Sequence, residues 1–241
     1  MITNADAGTA DQETLEEGLE ILRDATDVEV AATSSPGELD GVLHRAGSRR
    51  IVVAGGDGSL HAVIASLHRR GDLEKAVVGL LPLGTGNDFA RSMEVPLDIK
   101  DAARLILTGE VRPVDLLTDD EDGVVVNNVH VGAGAQASRR GARWKKRLGS
   151  IGIGKVNLGK LGYPIGAFQA SFMPPSVRLR IEIDGEVVND LDQPTLMVAV
   201  GNGISVGGGA ELTPDADAED GKADVMISRA VGPISRFGYV L

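Results

Sequence analysis

Through the first half of the chain, short unbroken apolar runs alternate with longer stretches in which apolar positions return every third or fourth residue. The runs at residues 1–3, 28–33, 49–55 and 76–82 have the length and β-branched content of strands. Between them, residues 13–25 place Leu15, Leu19 and Leu22 on one helical face. Residues 35–47 read as a helix with Ser35 as N-cap, Pro36 at the first helical position and Gly47 as a stop. Helical patterns over 59–71 and 98–110, the second closed by Gly109, complete the alternation. It predicts an α/β fold that opens with an N-terminal lobe, residues 1–112, in which flanking helices cover a parallel sheet.

Beyond that point the rhythm changes. Residues 111–120, 123–132, 176–188 and 195–203 are β-rich with few helical stretches between them, which predicts an antiparallel, sandwich-like lobe over 113–241. Asp119 to Asp122 before Gly123 predict a solvated hairpin turn, and Asp184-Gly185 a two-residue one, so these carboxylates are assigned no chemistry.

Composition narrows the function. The chain has no cysteine, which excludes a disulfide framework, a thiolate metal site and a catalytic thiol. Its four histidines, His44, His61, His68 and His130, lack metal-ligand spacing. No apolar run is long enough to span a bilayer and the acidic amino terminus lacks the basic start of a signal peptide, so a cytoplasmic location is expected. A net charge of −11 argues against nucleic-acid partners.

The sign of that charge is uneven. Residues 123–181 contain no Asp or Glu but ten bases, most of them in a run from Arg139 to Lys160. Interleaved with Trp144 and followed by Tyr163 and Phe168, this island is expected to touch anionic headgroups through 139–160 at the inner face of the membrane, at about 1 kcal/mol per base. The plainer reading is a solvated helix face that balances acidic surroundings. A homodimer is left open.

The sharpest feature is Gly55-Gly56-Asp57-Gly58-Ser59, set between an apolar strand and a helical pattern. Strand, glycine turn and helix in succession place backbone N–H groups where they can hold an anionic oxygen. The glycines remove Cβ atoms that would keep a phosphate away, and Ser59 is expected to supply a hydroxyl and the N-cap of the helix. Asp57 would repel a phosphate unless it engages a cation or a proton; simple turn formation is its plainer reading. Gly84, Thr85, Gly86, Asn87 and Asp88 repeat the arrangement after the next strand, where ligands of open parallel sheets bind. Two such loops, each with one aspartate, predict a nucleoside triphosphate site with a magnesium ion. Neither the Walker pattern nor G-x-G-x-x-G is present.

Together, GGDGS at 55–59 and PLGTGNDFAR at 82–91 resemble the diacylglycerol kinase catalytic domain family, which includes bacterial lipid kinases and sphingosine kinases. Ser59 stands where that family usually has threonine, and Ala5 where its opening turn has proline. The later segment VAVGNGISVGGGAELTPDADAEDGKADVMI matches further landmarks, so the resemblance runs along nearly the whole chain. It implies ATP-dependent transfer of the γ-phosphoryl group to a hydroxyl of diacylglycerol or a related lipid alcohol, in a cleft between the two lobes, with ATP and Mg2+ as cofactors. It implies nucleotide contacts at Asn4, Thr33, Gly55 to Ser59 and Gly84 to Asn87, and catalytic roles for Asp57 and Asp88. Metal association is implied for Asp57, Asp88 and Asp115, and a further structural metal near Asp220. Helix cap, strand end and turn former are the plainer roles of Asp88, Asp115 and Asp220.

Bacterial members of that family continue beyond the position of Leu241 and carry there an acidic residue proposed to activate the lipid hydroxyl. No acid follows Asp224 here, which leaves Asp57 as the proton acceptor within reach, or a chain weak in catalysis. Two other readings stay open: a nucleotide-binding regulatory protein of the same fold, and an NAD-kinase-like enzyme, which Asn87-Asp88 disfavours.

Overall fold

A computed structural model describes residues 1–5, 9–132 and 177–229. The described residues fall into two compact units, one within 1–127 and 202–223, the other within 128–201 and 224–229. The first unit therefore takes in two segments beyond the sequence boundary at 112. The basic island at 139–160, with Trp144, Tyr163 and Phe168, lies outside the described residues.

In the first unit, β1 (Ile2–Asn4), β2 (Ala31–Thr33), β3 (Ile51–Gly55) and β4 (Val78–Pro82) form one parallel sheet in the order β2-β1-β3-β4. Helices α1 (Thr9–Ala25), α2 (Pro36–Ala46), α3 (Asp57–Arg70), α4 (Asp88–Ser92) and α5 (Ile99–Thr108) connect and flank the strands. The unbroken apolar run of β3 is explained by burial on both faces. Ile51 and Val53 join Leu39 and Leu43 of α2 and Leu60, Val63 and Leu67 of α3; Val52 and Ala54 join Leu22 of α1 and Ile99, Ala102 and Ala103 of α5. Each fully buried side chain of this kind, such as Val53 or Leu81, contributes about 1.5–3 kcal/mol.

Helix ends follow the sequence punctuation with one exception. Ser35 caps α2 by accepting the N–H of Glu38, and Gly47 ends it with a φ of 59°. Ser59, by contrast, is not the N-cap of α3. Gly56 holds that position without a side-chain cap, and its carbonyl accepts the N–H groups of Ser59 and Leu60 at 3.0 and 3.1 Å. The helix thus begins at Asp57, because its first turn closes on a glycine carbonyl that needs no hydroxyl. The second strand is also shorter than its apolar run, covering only 31–33.

The rest of the first unit consists of two small antiparallel hairpins. In one, β5 (Leu117–Thr118) and β6 (Val124–Val125) flank the turn at 119–123, where Asp119 Oδ1 accepts the N–H groups of Glu121 and Gly123. The second unit contains β7 (Asn128–Gly132), β8 (Ile181–Ile183), β9 (Glu186–Asn189) and β10 (Thr195–Gly201). Strands β8 and β9 are joined through Asp184 and Gly185, both at positive φ, as the Asp-Gly pair predicts. The remaining hairpin of the first unit pairs β11 (Ser205–Val206) with β12 (Ala210–Glu211). Finally β13 (Asp224–Arg229) pairs antiparallel with β10, which also pairs with β7, giving the second unit an antiparallel sheet in the order β13-β10-β7. The α/β lobe followed by an antiparallel strand-rich one is the fold class the sequence predicts.

Candidate functional site

In a parallel sheet every strand ends on the same edge. The register Gly55↔Pro82 brings the carboxyl ends of β3 and β4 level, so the loops that follow them lie side by side. Asn4↔Thr33 forms the corresponding end of β1 and β2. Asn4, Thr33 and both glycine loops therefore share the carboxyl edge, as expected of an open α/β sheet with a ligand there.

The glycines serve different purposes. A Cβ on Gly55 would stand 2.5 Å from the Ser59 hydroxyl, and one on Gly56 only 2.8 Å from the Cα of Gly84. A Cβ on Gly84 would in turn stand 2.5 Å from the Cα of Gly56. Gly55 is thus required by Ser59, and Gly56 and Gly84 by the backbone contact that joins the two loops. Gly58 differs, since a Cβ there would meet nothing within 4 Å. Of the first loop's glycines, it alone leaves open space, at the start of α3.

Asp57 ties the loops together. Its Oδ2 accepts the N–H of Asp88 at 3.1 Å and its Oδ1 that of Phe89 at 3.0 Å, so a residue in the first turn of α3 caps α4. An anion at two helix starts is favoured by both dipoles. Asn87, in the left-handed region at φ 51°, closes the second loop on itself: Oδ1 accepts from Gly84 N at 2.9 Å and Nδ2 donates to Gly84 O at 2.8 Å.

Asp88 is 6% exposed. Its Oδ1 accepts the N–H groups of Gly208 and Gly209, both at 2.9 Å, and the Ser205 hydroxyl at 3.2 Å; its Oδ2 receives a second, 3.1 Å share of the Gly208 N–H. The triplet Gly207, Gly208 and Gly209 lies wholly at positive φ, which turns successive amides toward one anion. Sequence reasoning used this triplet only as a family landmark and assigned it no partner. Where a Cβ on Gly86 would sit, Asp88 Oδ2 is 3.1 Å away and Asp57 Oδ2 3.2 Å. Two carboxylate oxygens therefore flank one small gap.

Asp115 lies against the turn that carries Asp220. The N–H of Asp115 donates to Ala218 O at 2.7 Å, and its Oδ2 accepts from Gly221 N at 2.6 Å. Asp220 is occupied by Lys222, which hydrogen-bonds both carboxylate oxygens and holds that carboxyl below its ordinary pKa. Among the described residues no group of three or more acidic or histidine side chains converges as a metal cage. Buried Asn202 reaches Asp115 O and Val126 O through Nδ2, a positioning contact that sequence gave no sign of.

Compared with known proteins, residues 1–118 match the diacylglycerol kinase catalytic domain and residues 127–237 the YegS C-terminal NAD kinase beta sandwich-like domain. The chain is similar to "Probable lipid kinase YegS-like" of Cronobacter sakazakii, at 33% identity over 91% of this chain and 71% of that one. A protein of the same name from Xanthomonas campestris is also 33% identical, over 92% and 71%. Among solved structures, a diacylglycerol kinase from Bacillus anthracis superposes with a TM-score of 0.75 at 25% identity, covering 99% of this chain and 76% of the other.

Proposed function

The chain belongs to the YegS-like lipid kinases that carry a diacylglycerol kinase catalytic domain, and from that premise we propose that its two glycine loops hold ATP for phosphoryl transfer to diacylglycerol or a related lipid alcohol. The observation that carries this reading is the backbone contact of Gly56 with Gly84, with Asp57 spanning the joint. It holds the two loops together at the edge where such sheets bind ligands. In this reading the first-turn amides of α3, beside the open space at Gly58, receive phosphate oxygens. Asn4 and Thr33 border the nucleotide from the ends of β1 and β2.

A magnesium ion fits the donor set. Each oxygen of an ionised carboxylate has two lone pairs, and the Oδ2 atoms of Asp57 and Asp88 flank the gap that a Gly86 Cβ would fill. Mg2+ is commonly held by one or two carboxylates together with substrate phosphates. Held by these two residues, the ion would offset the charge of the transferring phosphoryl group. Asp88, gripped by Ser205 and the glycine amides, would keep its carboxylate in place, while half-exposed Asp57 would be the group facing the reactants.

We place the reaction at the cytoplasmic membrane surface, with the basic island at 139–160 against anionic headgroups. The acid-free charge of that segment supports this, and among the described residues no helix is long and apolar enough to cross a membrane. A labelled-ATP assay over a panel of lipid alcohols, with wild type and Asp57→Asn, tests the whole reading. Lipid phosphate that disappears in the variant is the expected result. A nucleotide-raised melting temperature with no product on any acceptor would instead favour a regulatory nucleotide binder.

A further inference from the structure

Building on the nucleotide reading above, we propose that Arg91 grips an outer phosphate of the bound nucleotide, a role that neither the motif nor the family match assigns. Three segments meet at this site, residues 51–60, 80–92 and 202–211, and Arg91 is the single Lys or Arg among them. Those same segments carry Asp57, Asp88 and Glu211, the first two with their Oδ2 atoms flanking Gly86. A triphosphate approaching them needs cationic help, and no Walker lysine is present.

The placement of Arg91 suits that task. It lies in the last turn of α4, and its Nε donates to Gly86 O at 3.2 Å, so its guanidinium is fastened to the residue whose Cβ position the two carboxylates flank. Its Cδ and Nε also stand 3.8 and 3.9 Å from where a Cβ on Gly209 would be, against the triplet that holds Asp88. The side chain is exposed, and among the described residues no carboxylate lies within ion-pair distance of it. One nitrogen is thus used for aim, and the two terminal nitrogens keep the planar fork that binds phosphate in a bidentate manner.

The test is calorimetric titration of the full chain with magnesium-ATP and with AMP, which lacks the outer phosphates. Arg91→Gln should raise the Kd for ATP by roughly 10–100-fold, the loss of a charge-assisted pair, and leave that for AMP near wild type. Arg91→Lys should recover part of the ATP affinity as a point charge. Unchanged ATP affinity in Arg91→Gln overturns the proposal, and so does an equal loss for ATP and AMP, which would mark Arg91 as a support for Gly86 alone. A wild type that binds neither nucleotide overturns the kinase reading itself, and this proposal with it. Should Arg91→Gln melt before titration, Arg91→Lys carries the comparison: a smaller ATP-to-AMP preference than wild type supports the fork, an equal one sinks it.

Discussion

Asp57 and Asp88 stand 31 positions apart in sequence, yet the carboxylate of the first accepts the backbone N–H of the second at 3.1 Å. The neighbouring N–H of Phe89 completes the pair at 3.0 Å. One side chain thereby forms the joint between the loops, and the proposed function gives it a second duty toward the ligand. Those duties separate in Asp57→Asn, whose Nδ2 would face an N–H where an acceptor is needed. A cost of about 1–3 kcal/mol in folding stability is expected, together with loss of lipid phosphorylation well beyond what that destabilisation explains. Urea unfolding beside turnover of the folded fraction checks both.

Gly56 and Gly58 form a matched pair with opposite expectations. Gly56→Ala drives a methyl to 2.8 Å from the Gly84 Cα, a backbone atom that cannot swing away, and should cost about 1–3 kcal/mol as the loops part. Gly58→Ala meets no atom within 4 Å and lies inside a helix, where alanine is favoured by about 1 kcal/mol. It should melt at or above the wild-type temperature while losing nucleotide affinity, since its methyl fills the ligand's approach. A Gly58→Ala protein that binds nucleotide as wild type does would place the phosphates elsewhere.

These contacts separate what local sequence can tell from what it cannot. The strand run of β3, the capped start of α2 and the Asp-Gly turn between β8 and β9 were legible because each depends on residues a few positions apart. The two loops could be paired from the sequence because successive parallel strands end on one edge. Ser59 misled because serine before a helical pattern is the usual cap, whereas here Gly56 provides its carbonyl and Ser59 packs against Gly55. The grip on Asp88 was invisible for another reason: its donors lie 117 to 121 residues away, and nothing local distinguishes a glycine triplet that clasps a carboxylate from a flexible loop. Arg91 was passed over because an arginine ending a short helix is ordinary until Gly86 is seen beneath it.

The clasp itself can be measured. Asp88→Ala removes the acceptor of the Gly208 and Gly209 N–H groups in a site that is 6% exposed in the native protein, and should cost about 3–5 kcal/mol. Asp88→Asn keeps one oxygen for those amides and should cost less, about 1–2 kcal/mol. Equal midpoints for the two variants in urea would mean that the triplet holds its shape without the carboxylate.

Membrane contact is expected from sequence, from the bases of 139–160 and the aromatic residues among and after them. Lys145, Lys146 and Arg147 lie in the acid-free interval, so their attraction to an anionic surface is not cancelled by neighbouring carboxylates in sequence. At about 1 kcal/mol per base, replacing all three with glutamine should weaken binding to phosphatidylserine-containing vesicles by about 100-fold. The difference should shrink as salt shortens the Debye length to about 3 Å near 1 M. Vesicle sedimentation of both proteins at low and high salt reads this directly. Equal sedimentation at low salt would return the island to the role of a solvated surface.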